Sequence, residues 1–201
     1  MTFERPFKLV SYLAAMLLAM SSVSVFAEGD AARGADLADT CKGCHFIPDY
    51  KNSYPVYKVP KIGGQNAEFV IAALKGYASG ERKHDTMTAQ AATLSDQDML
   101  DVATYLSSLG APRTADASGP VSDKVATCAA CHGDRGISAM GMYPNLAGQH
   151  HSYLEKALHA YRDGSRKNPI MSGFASALSD EDIEAISLYF SSQKGLFTPA
   201  L

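Results

Sequence analysis

Two five-residue segments of the chain carry the same chemistry. Cys41-Lys42-Gly43-Cys44-His45 and Cys128-Ala129-Ala130-Cys131-His132 both read C-x-x-C-H, the pattern that attaches a c-type haem. Two thiols separated by two residues on a helical turn lie along one edge of a porphyrin, where they add across its vinyl groups as thioethers. The histidine that follows brings its imidazole under the iron as proximal ligand. These four cysteines are all the chain has. A thiol–disulfide switch would place CxxC in a βαβ setting, which the sequence lacks. Paired zinc knuckles lie roughly 15–20 residues apart, whereas Cys41 and Cys128 are 87 positions apart. Neither alternative accounts for a histidine after both motifs. The expected cofactors are two covalently bound haem c groups. Cys41 and Cys44 hold one, Cys128 and Cys131 the other, and His45 and His132 reach the irons.

An internal repeat identifies further candidates. Pro60-Lys61-Ile62-Gly63-Gly64-Gln65 matches Pro144-Asn145-Leu146-Ala147-Gly148-Gln149 at an offset of 84 positions. The same offset pairs Phe69 with Tyr153, Tyr77 with Tyr161, Arg82-Lys83 with Arg166-Lys167, and Leu94-Ser95-Asp96 with Leu178-Ser179-Asp180. It also pairs Met87 with Met171. A lone methionine is ordinarily core filler. One repeated in register, after a basic loop and before a helix, is the expected sixth ligand of each iron, and it makes a low-spin electron carrier of raised potential. Met99 pairs with Ile183 and reads as core, and Met140 and Met142 have no methionine counterparts. His84, His150, His151 and His159 are not repeated and read as surface residues. His84, three residues before Met87, is the one placed to substitute as a ligand. Pro60 and Pro144 admit two readings: a stiff carbonyl acceptor for the proximal imidazole, or an ordinary turn proline.

The elements that must position these groups are helical. A short helix near 31–40, with a counterpart near 122–127, runs into each CxxCH. A second helix follows each Gly-Gln turn, with Phe69, Val70, Ala73, Leu74 and Tyr77 at helical spacing in one copy. Gly80 and Gly164 end these helices. Ser95-x-x-Asp98 and Ser179-x-x-Asp182 are capping boxes that start the last helix of each half. No strand-like alternation of useful length appears, so the expected fold is all-α.

Residues 1–27 read as an export signal. Arg5 and Lys8 are followed by an apolar run and by Val25-Phe26-Ala27, a small-residue cleavage site. Residues 9–27 carry no charge and approach the roughly 20 residues that span a bilayer, so an uncleaved anchor with membrane association is the competing reading. Either places the body of the protein outside the cytoplasm, in the periplasm. The formal charge of −3 becomes −4 once Glu4, Arg5 and Lys8 are removed. With no basic run, nucleic-acid binding has no electrostatic basis. The expected division is 28–112, a linker at 113–120 rich in small residues and proline, and 121–201.

Taken together, CxxCH, P-x-[IL]-x-G-Q and a methionine before S-D-x-D, occurring twice, resemble the dihaem cytochrome c4 family of tandem class I cytochrome c domains. The resemblance covers the chain beyond residue 27. It implies that the carbonyls of Pro60 and Pro144 accept from His45 and His132. It further implies an electron carrier rather than an enzyme, working between the bc1 complex and a terminal oxidase. The first half departs from the pattern. Phe46-Ile47-Pro48 follows His45, and the loop up to Val59 is three residues longer and carries Tyr50, Tyr54 and Tyr57. That departure leaves room for a dehydrogenase as redox partner, and the alternative reading is the haem subunit of a periplasmic dehydrogenase or a dihaem redox enzyme such as a peroxidase.

Overall fold

A computed structural model describes residues 28–112 and 123–201. The expected export segment 1–27 and the expected linker 113–120 lie outside the described residues. Within them, all regular structure is helical apart from three isolated β-bridges, as the absence of strand alternation led one to expect. The first half comprises α1 (Ala31–Leu37), α2 (Asp39–His45), α3 (Ala67–Ala78), α4 (Asp85–Ala91) and α5 (Asp96–Ser108). A 3₁₀ turn, Asp123–Val125, opens the second half, followed by α6 (Ala126–His132), α7 (His151–Arg162), α8 (Pro169–Ala175) and α9 (Asp180–Ser192).

Local chemistry sets most boundaries. Ser95 and Ser179 cap α5 and α9 through complete capping boxes with Asp98 and Asp182. Gly80 and Gly164 follow the ends of α3 and α7 with φ of 78° and 76°, a left-handed conformation that glycine adopts without a Cβ penalty. Two features differ from expectation. The helix expected over 31–40 is two helices, because the chain turns at Ala38, whose carbonyl accepts from both Cys41 and Lys42. That turn re-aims the CxxCH segment. The methionines lie on two further helices, α4 and α8, which the expected elements did not include. At seven residues each, these are too short to show a helical period.

In the first half α5 is the central element, with α1 and α3 packed on it. Gly34 makes the α1 contact: a Cβ there would lie 2.0 Å from the Asp101 carbonyl oxygen. Phe46, Val70, Leu74, Met99, Val102 and Leu106 fill the core. In the second half α7 packs on α9 around Val125, Leu154, Ile186 and Phe190. Each such side chain contributes about 1.5–3 kcal/mol on burial. Both cores are small, as expected of halves whose apolar face is completed by a cofactor. No helix of the described residues is long and apolar enough to cross a membrane.

Candidate functional site

The two CxxCH segments end α2 and α6, so each histidine stands in the last turn of its helix. His45 Nδ1 lies 2.8 Å from the Pro60 carbonyl oxygen, and His132 Nδ1 lies 2.9 Å from that of Pro144. Nδ1–H donating to a carbonyl leaves Nε2 as the free lone pair, the tautomer a metal ligand requires. Burial pushes both imidazoles below the ordinary histidine range, against the opposing pull of the proline carbonyl. They are therefore neutral at pH 7. None of the four cysteines is paired in a disulfide, and burial raises the thiols of Cys41 and Cys128.

The structure brings Cys41, Cys44, His45 and Met87 together on the lining of one cavity of about 1140 Å³. Met87 is the third residue of α4 and Met171 the third of α8. Each helix is capped by the residue before it, and each cap accepts from the methionine's own backbone N–H. His84 Nδ1 accepts from Met87 at 3.2 Å, and Asn168 Oδ1 from Met171 at 3.0 Å. His84 thus belongs to the framework of the site. Its two ring nitrogens bond Met87 and Asn52 Oδ1, the latter at 3.1 Å, which leaves neither free for iron.

The same cavity is also lined by residues of the second half, among them Tyr153 and Arg166. The two halves meet there about an approximate two-fold axis. Arg82 and Arg166, equivalent at the 84-position offset, pair with each other in an antiparallel bridge. The Gln65 side chain donates to the Asn145 carbonyl and accepts from its N–H, at 3.1 and 2.8 Å. Gln149 does the same to Lys61, both bonds at 2.9 Å. Sequence reasoning found the Gly-Gln turn as a repeat but missed its role, since nothing local says that the turn faces its own copy. The C-terminal segment completes the joint. Leu196 N–H donates to Ala147, and Phe197 exchanges both backbone hydrogen bonds with Gly63. A Cβ on Gly63 would lie 2.6 Å from the Phe197 ring.

Arg82 is buried, with its guanidinium over the Tyr77 ring at 4.5 Å and bonded to the Tyr153 hydroxyl at 3.1 Å. Arg166 lies over Tyr161 at 4.4 Å. The Nε atoms of both are buried without a hydrogen bond. A buried cation with an unsatisfied donor costs free energy unless an anion meets it. The cavity therefore offers two thiols, a neutral imidazole and a thioether to a metalloporphyrin, and cationic donors to its carboxylates. The residues fit a haem.

A profile of the cytochrome c family matches this chain twice, over residues 31–110 and 123–194. Cytochrome c4 of Pseudomonas aeruginosa is 32% identical over 180 residues, covering 81% of this chain and 88% of that protein. The thiosulfate dehydrogenase electron acceptor of Stutzerimonas stutzeri is 31% identical, covering 89% of this chain and 91% of that protein. The crystal structure of reduced cytochrome c4 from Pseudomonas stutzeri superposes with a TM-score of 0.66 at 29% identity, over 82% of this chain and 99% of that one.

Proposed function

The chain belongs to the cytochrome c family, as a dihaem electron-transfer protein of the c4 type with two tandem class I domains, and from that premise we propose that it is a non-catalytic periplasmic shuttle. In this reading His45 and Met87 ligate one iron and His132 and Met171 the other, within domains spanning 28–112 and 121–201. When bound, each haem supplies one-electron ferric–ferrous chemistry. The chain's own work is to hold that chemistry still. Pro60 and Pro144 orient the proximal rings, the capped helices α4 and α8 fix the methionines, and the interface arginines meet the carboxylates.

The observation that carries the reading is the duplicated framework around each methionine: an N-cap side chain bonded to the backbone N–H of Met87 and of Met171. An iron saturated on both faces exchanges electrons and leaves no coordination position for a substrate. Replacing Met87 and Met171 singly by alanine, and recording the near-infrared sulfur-to-iron band, tests it. Each variant should lose about half of the band's intensity, since each haem contributes one Met–Fe bond. Unchanged intensity in either removes that ligand, and peroxide turnover by the native protein at an enzymatic rate removes the shuttle.

Two placements in electron flow follow. The c4 likeness supports a position between the bc1 complex and a terminal oxidase. The likeness to a thiosulfate dehydrogenase electron acceptor supports a second: accepting electrons from a periplasmic dehydrogenase. Comparing the oxidised protein's reduction rate by a bc1 complex and by such a dehydrogenase discriminates between them.

A further inference from the structure

The caps of α4 and α8 occupy equivalent positions with nearly the same backbone, φ −167° and ψ 109° at His84, φ −162° and ψ 112° at Asn168. They differ in reach. A side-chain amide offers its acceptor and its donors from one end. An imidazole has two ring nitrogens on different edges. When Nδ1 accepts from Met87 N–H, the ring proton is on Nε2, and Nε2 then donates outward to Asn52 Oδ1 at 3.1 Å. Asn52 belongs to the longer loop of the first half.

That loop is a built element. Asn52 N–H donates to the Tyr57 carbonyl at 2.9 Å and Val59 N–H to that of Tyr50 at 2.8 Å, so its two arms are laddered together. Tyr57, buried, sets its ring edge-on to His84, with centroids 6.4 Å apart at 78°. The loop also reaches the second half. Lys58 N–H donates to Ser152 Oγ at 3.1 Å, and the Tyr57 ring lies 6.4 Å from that of Tyr153. The Tyr54 side of the loop faces solvent, with Tyr54 94% exposed. In the second half the shorter loop is bonded elsewhere: the carbonyls of Met140 and Tyr143 accept from Asn66 Nδ2.

We propose that His84 is a positioning residue for the distal ligand of the first haem: through one neutral imidazole it fixes the Met87 backbone and couples it, by way of Asn52, to the 50–59 loop and the second half. The second haem's ligand is held by Asn168 alone at that position. This rests on Met87 being the sixth ligand. The first site is thereby stiffened by groups outside its own helix, and displacement of the loop is transmitted to the Met87 backbone.

Three variants of the haem-loaded protein separate the two bonds of the ring. His84→Asn keeps a cap and drops the link, Asn52→Ala keeps His84 and drops the link, and His84→Ala drops both. The readouts are Met87 amide hydrogen exchange, the temperature at which the near-infrared band fades, and the midpoint potentials of the two haems. His84→Ala should speed Met87 exchange by roughly fivefold, the loss of one helix cap, and His84→Asn should restore most of that protection. His84→Asn and Asn52→Ala should both lower the fading temperature and shift the first haem's potential, with the second haem's unchanged. The coupling is overturned if both behave as wild type in fading temperature and first-haem potential. Met87→Ala is the control. If it leaves the band intact, Met87 is no ligand and both readings fall. If it halves the band while the His84 and Asn52 variants are silent, ligation stands and the positioning role alone falls.

Discussion

Gln65 and Gln149 clasp each other's halves: each closes a pair of hydrogen bonds onto the backbone of the residue four positions before the other, Asn145 and Lys61. Both glutamines are buried, at 7% and 4% exposure. The exchange of partners under the 84-position offset makes the clasp symmetric, and it sits at the edge of the cavity that holds His45 and Met87.

Gln65→Ala strips two partners from the Asn145 backbone and leaves them buried. Each unsatisfied group costs about 1–3 kcal/mol. Either single variant should be clearly destabilised. The double variant Gln65→Ala/Gln149→Ala should unfold in two resolved thermal transitions, one per half, measured by calorimetry. A single transition in the double variant would show that the remaining contacts, Phe197 with Gly63 and Lys58 with Ser152 among them, are enough to couple the halves.

Gly34→Ala places a Cβ 2.0 Å from the Asp101 carbonyl oxygen. That neighbour is backbone, so α1 must retreat from α5. Overpacking of this kind costs about 1–3 kcal/mol. The loss should appear in the denaturant midpoint, and in greater exchange of the α2 amides that carry Cys41 and Cys44.

Acid stability depends on Asp98. Hydrogen bonds from Ser95 and Arg33 hold its carboxyl down to about 2, against about 3.9 for an ordinary aspartate. A depressed folded pKa favours folding above the unfolded value, and the benefit is lost as pH falls toward about 2. Asp98→Asn should therefore be less stable than wild type at pH 7 and lose stability less steeply between pH ~4 and ~2, as read from urea midpoints across that range.

Arg82→Leu tests the interface cation. The ferric haem carries one more positive charge than the ferrous. Removing a buried guanidinium, raised above its ordinary range by Tyr153 and Tyr77 in spite of burial, favours the ferric form. The midpoint potential of the first haem should fall, and that of the second should fall less, in a spectroelectrochemical titration. An unchanged potential would mean that Arg82 does not face the cofactor's charge.

Much of this protein was legible before folding. The haem attachment proposed for Cys41, Cys44 and His45 is local chemistry: the three lie within five positions, and one helical turn fixes their geometry. The capping boxes at Ser95 and Ser179 are local in the same way, and so are the glycines that end α3 and α7. The repeat extended that reading, because an offset of 84 positions paired residues whose neighbourhoods were still unknown. Short helices escaped it, since seven residues from Asp85 to Ala91 cannot display a period, although the Asn168-Pro169 start of α8 is a recognisable cap followed by proline at the first helical position. Tertiary structure decided what faces what. A glutamine after glycine says nothing about clasping its own copy, an arginine in a basic loop says nothing about burial between two tyrosines, and a histidine before a methionine says nothing about a loop 32 positions away in sequence. Those relations are long-range contacts, set by how two small cores pack together, and no periodicity along the chain encodes them.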